Sequence, residues 1–159
     1  MRAIVVFDSQ YGNTRMVGEE IARGISEAGH VEVLAVDVDH VPLERAQASD
    51  LLVLGSPNHI GRATRATKRF VRAIGGANLA QKRIALFDTC FAGQEGDVTR
   101  ELEAALRKEE PSLVLAAPSL SVVVEKMKGP IRIGELPKAR AFGRRLATLS
   151  SSEVPAPSA

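Results

Sequence analysis

Short, almost continuous apolar runs alternate along this chain with longer segments in which apolar residues recur every fourth position. The runs Ala3–Phe7 and Leu51–Leu54 contain no charged residue, which is typical of strands covered on both faces. The other runs are Val31–Val36, Ile84–Phe87 and a fifth that begins near Leu113. This alternation predicts an α/β fold, a doubly wound five-stranded parallel sheet with helices on both faces.

The segments between these runs have the apolar spacing of amphipathic helices, i, i+4, i+8. The predicted helical stripes are Val17, Ile21 and Ile25; Ala66, Phe70 and Ile74; Val98, Leu102 and Leu106; and Ala139, Phe142, Leu146 and Leu149. The first helix is predicted from about Asn13 to Ala28 and the last from Glu135 to Leu149, with a short helix around Leu43–Ala48. We therefore expect one domain over residues 1–149. Residues 150–159 are rich in Ser and Pro and are expected to form a disordered tail.

Several classes of protein are disfavoured by composition. The net charge of +2 is too small to indicate nucleic-acid binding, and no apolar run approaches the roughly 20 residues of a membrane span. A single cysteine, Cys90, excludes an intramolecular disulfide and is typical of a reducing cytoplasm. The three histidines lack metal-ligand spacing, so we expect no metal site. The short apolar runs and the single cysteine together lead us to expect no membrane insertion and a cytoplasmic location.

The loop after the first strand has the composition of an anion site. In a doubly wound sheet, ligands bind beyond the carboxyl ends of the strands, and residues 8–14 occupy that position directly before a helix. Free backbone N–H groups and hydroxyls at a helix N-terminus bind phosphate, although the same residue types also serve as ordinary helix caps. The chain has neither a Gly-x-Gly-x-x-Gly nor a P-loop motif here, so a single phosphate monoester is favoured over a dinucleotide or a triphosphate.

The same loop resembles the phosphate loop of the flavodoxin family, which follows a Ser/Thr-x-x-Gly-Asn-Thr pattern. The matching residues are Ser9, Gln10, Tyr11, Gly12, Asn13 and Thr14. The resemblance covers nearly all of residues 1–149 and implies a short-chain flavodoxin with strand order 2-1-3-4-5. It further implies that FMN is the cofactor, with its phosphate held by three side chains, those of Ser9, Asn13 and Thr14, and by the intervening backbone.

Two further loops follow the third and fourth strands. The Gly-Ser-Pro-x-x-x-Gly spacing of residues 55–61 resembles that of FMN-binding quinone reductases and related flavodoxins. It implies flavin-ring contacts from Pro57, Asn58, His59, Ile60 and Gly61, and the alternative is a plain turn before a helix. The family resemblance extends to the next loop and implies contacts from Thr89, Cys90, Phe91, Ala92 and Gly93. Phe91 either packs on the ring or is buried, and Cys90 is either a flavin neighbour or a small buried residue.

Two features depart from the resemblance. Well-known flavodoxins place the flavin between a Trp and a Tyr, whereas this chain has no Trp and only Tyr11, in the phosphate loop. Ring contacts must then come from His59, Ile60, Phe91 or backbone. Electron-carrier flavodoxins are also strongly acidic, whereas Arg62 and Arg65 flank the second loop here. Positive charge near the flavin would raise its reduction potential.

These patterns favour an FMN protein that carries electrons one or two at a time to a redox partner protein or a quinone. The flavin would do the chemistry, so no residue is assigned as catalytic. The alternatives are an FMN-dependent NAD(P)H:quinone reductase and a cofactor-free binding module of the same fold. A response-regulator receiver is disfavoured, because such a domain needs an Asp where this chain has Gly55.

Overall fold

The computed structural model describes residues 1–76 and 78–152, in which strands and helices alternate. In chain order the elements are β1 (Arg2–Phe7), α1 (Asn13–Ser26), β2 (Glu32–Asp37), α2 (Leu43–Ala48), β3 (Leu51–Pro57), α3 (Arg65–Ile74), β4 (Arg83–Cys90), α4 (Asp97–Glu109), β5 (Leu120–Val123) and α5 (Glu135–Ser152). A short 3-10 helix, Leu79–Gln81, precedes β4.

The five strands form one parallel sheet in the order β2-β1-β3-β4-β5, which confirms the predicted fold class. The register aligns Val5 of β1 with Ala35 of β2 on one side and with Val53 of β3 on the other. The chain thus leaves β1 toward one edge of the sheet and later returns to its other side. This reversal opens a crevice beyond the carboxyl ends of β1 and β3, where such sheets bind ligands.

The two faces of the sheet bury separate apolar cores. Alternate residues of β1 enter different cores because side chains along a strand point to opposite faces: Ile4 and Val6 lie on one side, Ala3 and Val5 on the other. Helices α2, α3 and α4 cover the first face, and α1 and α5 cover the second. The apolar stripes predicted from helical spacing lie in these cores, with Ala66 and Leu149 partly buried at their margins.

The fifth strand is shorter and begins later than the sequence predicts. It starts at Leu120, paired with Phe87 of β4, rather than near Leu113. The residues before it are apolar because Leu113 and Ala117 pack into the two cores, one on each side, not because they pair in the sheet. Pro118, which has no N–H to donate to a ladder, lies just before the strand begins.

The ends of β3, β4 and α5 also differ from the prediction. Strands β3 and β4 extend further than expected and include Pro57 and the segment Asp88–Cys90, so these residues are strand ends rather than loop. Helix α5 continues to Ser152, so the first three residues assigned to a disordered tail are helical. The rest of that tail, residues 153–159, lies outside the described residues.

Candidate functional site

A cleft of about 580 Å³ opens beyond the carboxyl ends of β1, β3 and β4. It is the place that the topology predicts, and all three loops singled out in the sequence contribute to it. The predicted site residues that line it are Ser9, Gln10, Tyr11, Asn13, Thr14, Pro57, Asn58, His59, Ile60, Thr89, Cys90 and Phe91. Four others, Gly12, Gly61, Ala92 and Gly93, belong to the same loops but do not line the cleft.

The first loop turns sharply into α1 around a hydroxyl group. Gly12 has φ 93°, a left-handed conformation that favours glycine, and its N–H donates to Ser9 Oγ at 3.1 Å. The N–H of Arg15 donates to the same oxygen at 3.2 Å. Within the described chain, the backbone N–H groups of Gln10, Tyr11, Asn13 and Thr14 have no protein acceptor. The loop therefore presents open donors at the positive end of a helix dipole.

The second loop is a tight two-residue hairpin. His59 and Arg62 exchange backbone hydrogen bonds of 2.8 and 3.2 Å across the turn. The two residues at the tip, Ile60 and Gly61, both have positive φ, 54° and 77°. The side chain of Asn58 supports the turn, because its Oδ1 accepts from the Gly61 N–H at 2.7 Å. The tip of the loop is thus fixed by its own backbone and one side chain.

Thr89, at the end of β4, connects the first two loops. Its Oγ1 lies 2.9 Å from Thr14 Oγ1 in a buried contact, and its carbonyl accepts from the N–H of Asn58 at 2.8 Å. The Nδ2 atom of Asn58 is buried and has no hydrogen-bond partner among the described residues. Asn58 therefore lines the cleft and holds a buried amide donor without a partner among the described residues.

The third loop supplies apolar surface, and the last residue of β4 supplies a thiol. Phe91 is exposed at the edge of the cleft, and its N–H donates to Gln94 Oε1 at 3.2 Å. Cys90 is buried, and burial together with the nearby Asp88 carboxylate raises the pKa of its thiol to about 12. Cys90 is therefore an uncharged neighbour of the cleft rather than a reactive thiolate.

A fourth segment borders the cleft and was missed in the sequence. Val124 and Met127, which follow β5, line the cleft together with Asp8, Thr64 and Gln94. Met127 Sδ accepts a hydrogen bond from the Tyr11 hydroxyl at 3.6 Å. The topology could have predicted this segment, because every loop that follows a strand of a parallel sheet lies at the carboxyl edge of that sheet. The prediction was limited to the loops after the first, third and fourth strands, where the strand order reverses, and so it omitted residues 124–127.

The model of the flavodoxin domain family matches residues 4–121. The chain belongs to the flavodoxin family. A curated flavodoxin from Clostridium saccharobutylicum is 26% identical over 89 residues, which cover 56% of each chain. A flavodoxin from Aquifex aeolicus is 32% identical over 69 residues, 43% of this chain and 37% of the relative. The matches therefore span about half or less of these two relatives.

Solved flavodoxins share the fold. An archaeal flavodoxin superposes with a TM-score of 0.81 at 21% identity, covering 95% of this chain and 99% of its own. Oxidised flavodoxin 1 from Bacillus cereus gives a TM-score of 0.77 at 21% identity, covering 93% and 98%. Membership in this family implies a flavin cofactor. Among the described residues, no helix is both long and apolar enough to cross a bilayer.

Proposed function

We propose that this flavodoxin-family chain binds one FMN in the cleft and carries electrons through it, one or two at a time, to a redox partner protein or a quinone. The observation that carries this proposal is the pairing of open amide donors at the start of α1 with an apolar cleft next to them. A phosphorylated, flat aromatic ligand needs both features in one place. Bound FMN would supply the redox chemistry, and the protein would anchor and orient it.

The first loop suits the phosphate end of such a ligand. Its open donors are backbone amides, and Ser9, Asn13 and Thr14 add polar side chains beside them. No Lys or Arg side chain lines the cleft among the described residues, so the anchoring would rest on neutral donors and the helix dipole. In this proposal the backbone of Gln10, Tyr11 and Gly12 completes the phosphate site.

The second and third loops suit the ring end. The residues of these segments that line the cleft include His59, Ile60, Phe91, Pro57 and Thr89. The buried Nδ2 of Asn58 has no partner, which is costly, and it would donate to a heterocyclic carbonyl or nitrogen if the second loop moves to expose it. Gly61, Ala92 and Gly93 would approach through their backbone if these loops move onto the ring. We propose these residues, with Cys90, as the ring-binding set.

The experiment is a titration of the purified chain with FMN. We expect one FMN per chain, with quenched flavin fluorescence, and stepwise reversible reduction by dithionite followed in the visible spectrum. A flavin spectrum and fluorescence that stay those of free FMN at saturating protein would reject the proposal and favour a cofactor-free binding module.

A second function has one observation in its favour. Arg62 and Arg65 lie exposed beside the cleft and form no ion pair with any described residue, which would suit the phosphates of NAD(P)H in an FMN-dependent quinone reductase. Steady NAD(P)H oxidation by the FMN-loaded chain, coupled to quinone reduction, would establish this oxidoreductase activity. An FMN-loaded chain that turns over no NAD(P)H would be a carrier only. We further propose a cytoplasmic location, supported by the single free cysteine.

A further inference from the structure

Large apolar side chains are exposed at the mouth of the cleft. Ile60 is 91% exposed, Met127 65% and Phe91 42%, and all three line the cleft. They come from three loops that follow three different strands. A single exposed apolar residue is ordinary, but several at one opening mark a contact surface for another molecule.

Ile60 is also held in an unfavourable backbone conformation. Its φ of 54° places a β-branched residue in the left-handed region, which is a genuine outlier for that side-chain type. The side chain gains no burial in return, since almost all of it faces solvent. Folding alone would be served better by Asn or Gly at this position. The strained, exposed side chain therefore points to a role in contacting something outside the fold.

Cations lie next to these apolar tips. Arg62 and Arg65 follow Ile60, and Lys126 and Lys128 flank Met127; all four are exposed. Within the described chain none of the four forms an ion pair with a carboxylate, although Lys128 lies over the Tyr11 ring. These positive charges are thus available to a partner.

Acidic residues around the same opening offset these cations only in part. Glu125 pairs with Arg132 at 3.5 Å, and Asp97 pairs with Arg100 at 2.8 Å. Asp8 and Glu95 remain in the loops without a cationic partner among the described residues. Within the segments that line the cleft and their immediate neighbours, four available cations stand against two unpaired carboxylates, which is an excess of positive charge.

We propose that this surface docks an acidic electron-transfer protein with an apolar centre. The docking face is the set Ile60, Phe91, Met127, Arg62, Arg65, Lys126 and Lys128. The proposal rests on the proposed function, since the electron would pass between the partner's one-electron centre and the flavin. One electron leaves the reduced partner and enters the oxidised flavin, with any accompanying proton taken from solvent and no bond formed between the proteins.

A protein fits this surface better than a small anion does. Apolar side chains with charged neighbours have the composition of protein interfaces, in which charge complementarity mainly accelerates association. The cations lie in two separate segments, residues 62–65 and 126–128, and none of them lines the cleft. A dinucleotide would instead need donors that converge on its phosphates.

The test measures electron transfer to the FMN-loaded chain from a reduced acidic [2Fe–2S] ferredoxin as the probe. We expect the second-order rate constant to fall at least tenfold as salt is raised from low to high ionic strength. The double variant Arg62→Glu/Lys126→Glu should lower the low-salt rate constant by a similar factor. The matched control is Arg72→Glu/Arg145→Glu, which changes the same net charge at exposed helix positions outside the cleft. Equal effects of the two double variants would overturn the proposal.

A binding measurement without flavin keeps the two proposals distinguishable. Oxidised ferredoxin titrated into the cofactor-free chain should shift amide resonances of the 58–65 and 124–131 loops, and salt should weaken the association. Failure of FMN to bind would reject the proposed function while this titration still tests the docking face. If ferredoxin does not associate with the chain, or if the shifted resonances map elsewhere on the chain, the docking proposal is overturned.

Ile60 offers an independent variant. Ile60→Asn should keep or raise the urea midpoint, because Asn tolerates positive φ, yet weaken the binding of oxidised ferredoxin to the cofactor-free chain severalfold. The cofactor-free measurement is needed because Ile60 also belongs to the proposed ring-binding set. Ferredoxin affinity unchanged by Ile60→Asn would remove Ile60 from the docking face and contradict the proposal. Rapid reduction of the bound flavin by NADPH, lost in the Arg62→Glu/Lys126→Glu variant, would identify a nucleotide site instead and also overturn it.

Discussion

Thr14 and Thr89 join the first loop to the end of β4 through hydroxyl oxygens 2.9 Å apart. Both residues are almost fully buried, so each hydroxyl depends on the other for a partner. If Thr14 also meets the phosphate of FMN, its hydroxyl serves two purposes, the stability of the loop and ligand binding. Removing the Thr14 hydroxyl should therefore lower both the free energy of unfolding and the affinity for FMN, whereas removing the Thr89 hydroxyl should mainly lower the first.

We expect Thr14→Val to lower the free energy of unfolding of the cofactor-free chain by about 1 kcal/mol, because Thr89 loses its partner. The same variant should weaken FMN binding by about 1–3 kcal/mol, since a donor to buried phosphate is lost. Thr89→Val should lower the free energy of unfolding by a similar amount but weaken FMN binding less. Urea unfolding and FMN fluorescence titration measure the two effects, and Thr148→Val, on α5, is the control. Unaltered FMN affinity in Thr14→Val would mean that the anchor lies elsewhere.

Asp88 is a fully buried carboxylate on β4 that does not line the cleft. Its Oδ2 accepts from the Thr99 N–H of α4 at 3.3 Å, whereas its Oδ1 has no partner among the described residues. Burial raises the pKa of Asp88 above its usual value of 3.8, and hydrogen bonds from Ser121 and Thr99 only partly oppose this. The folded protein therefore binds this proton more tightly than the unfolded chain does.

This pKa shift predicts a pH dependence of stability. Because the folded-state pKa of Asp88 is the higher one, its contribution favours folding at low pH. That contribution is lost as the pH rises from about 4 through the raised pKa. The variant Asp88→Asn should not show this loss, so its free energy of unfolding relative to the parent should increase between pH 4 and pH 7. Urea unfolding across that range measures the difference, and a difference that stays constant or reverses would contradict the prediction.

At the scale of elements, α1 and α5 approach each other closely on one face of the sheet. Gly24 of α1 packs against the backbone carbonyl of Arg140, and Gly143 of α5 packs against that of Ile21, so neither position has room for a Cβ. At the end of α1, Glu27 bonds to Arg140 at 2.5 Å and to Arg144 at 2.9 Å. These arginines lower the pKa of Glu27. The two glycines set the distance between helices that the ion pairs then bridge.

We expect Gly24→Ala and Gly143→Ala each to lower the free energy of unfolding by about 1–3 kcal/mol, because a methyl group would force the helices apart. This loss should exceed the gain in helix propensity that alanine brings. Gly76→Ala is the control, since nothing lies within 4 Å of a Cβ there. Urea unfolding of the three variants checks the prediction, which fails if either helical glycine tolerates alanine as well as Gly76 does.

At the scale of the whole molecule, the cleft lies between loops that lead into both cores. The first loop leads into α1, which packs on one face, while the second loop leads into α3, which packs on the other. A ligand that bridges these loops would bind only the folded chain. Its binding free energy would therefore add to the stability of the entire domain.

FMN should therefore raise the melting temperature. At a free FMN concentration a hundredfold above Kd, the free energy of unfolding increases by about 2.7 kcal/mol. For a domain of this size that increase corresponds to a rise in melting temperature of roughly 5–11 °C. Riboflavin, which lacks the phosphate, should give a clearly smaller shift at equal concentration. Scanning calorimetry with both ligands measures this, and equal shifts for FMN and riboflavin would argue against the phosphate site in the first loop.

The sequence by itself determined the fold class, the helical stripes and the position of three loops that line the cleft. These properties follow from local periodicity, because a strand alternates with period two, a helix with period 3.6, and parallel strands end at the same edge. The predicted start of β5 was wrong for a physical reason. A residue such as Leu113 must be apolar both when it belongs to a buried strand and when it only packs against the sheet, so apolar periodicity does not distinguish the two cases.

Only the tertiary structure decided which groups meet. The Thr14–Thr89 hydroxyl pair spans 75 positions and the Tyr11–Met127 contact 116, and no local pattern encodes either distance. The fourth loop at the cleft likewise depends on how distant segments pack, because it reaches the cleft only through the pairing of β5 with β4. Sequence periodicity specifies which residues face inward, whereas the pairing of particular side chains depends on packing between elements far apart in the chain.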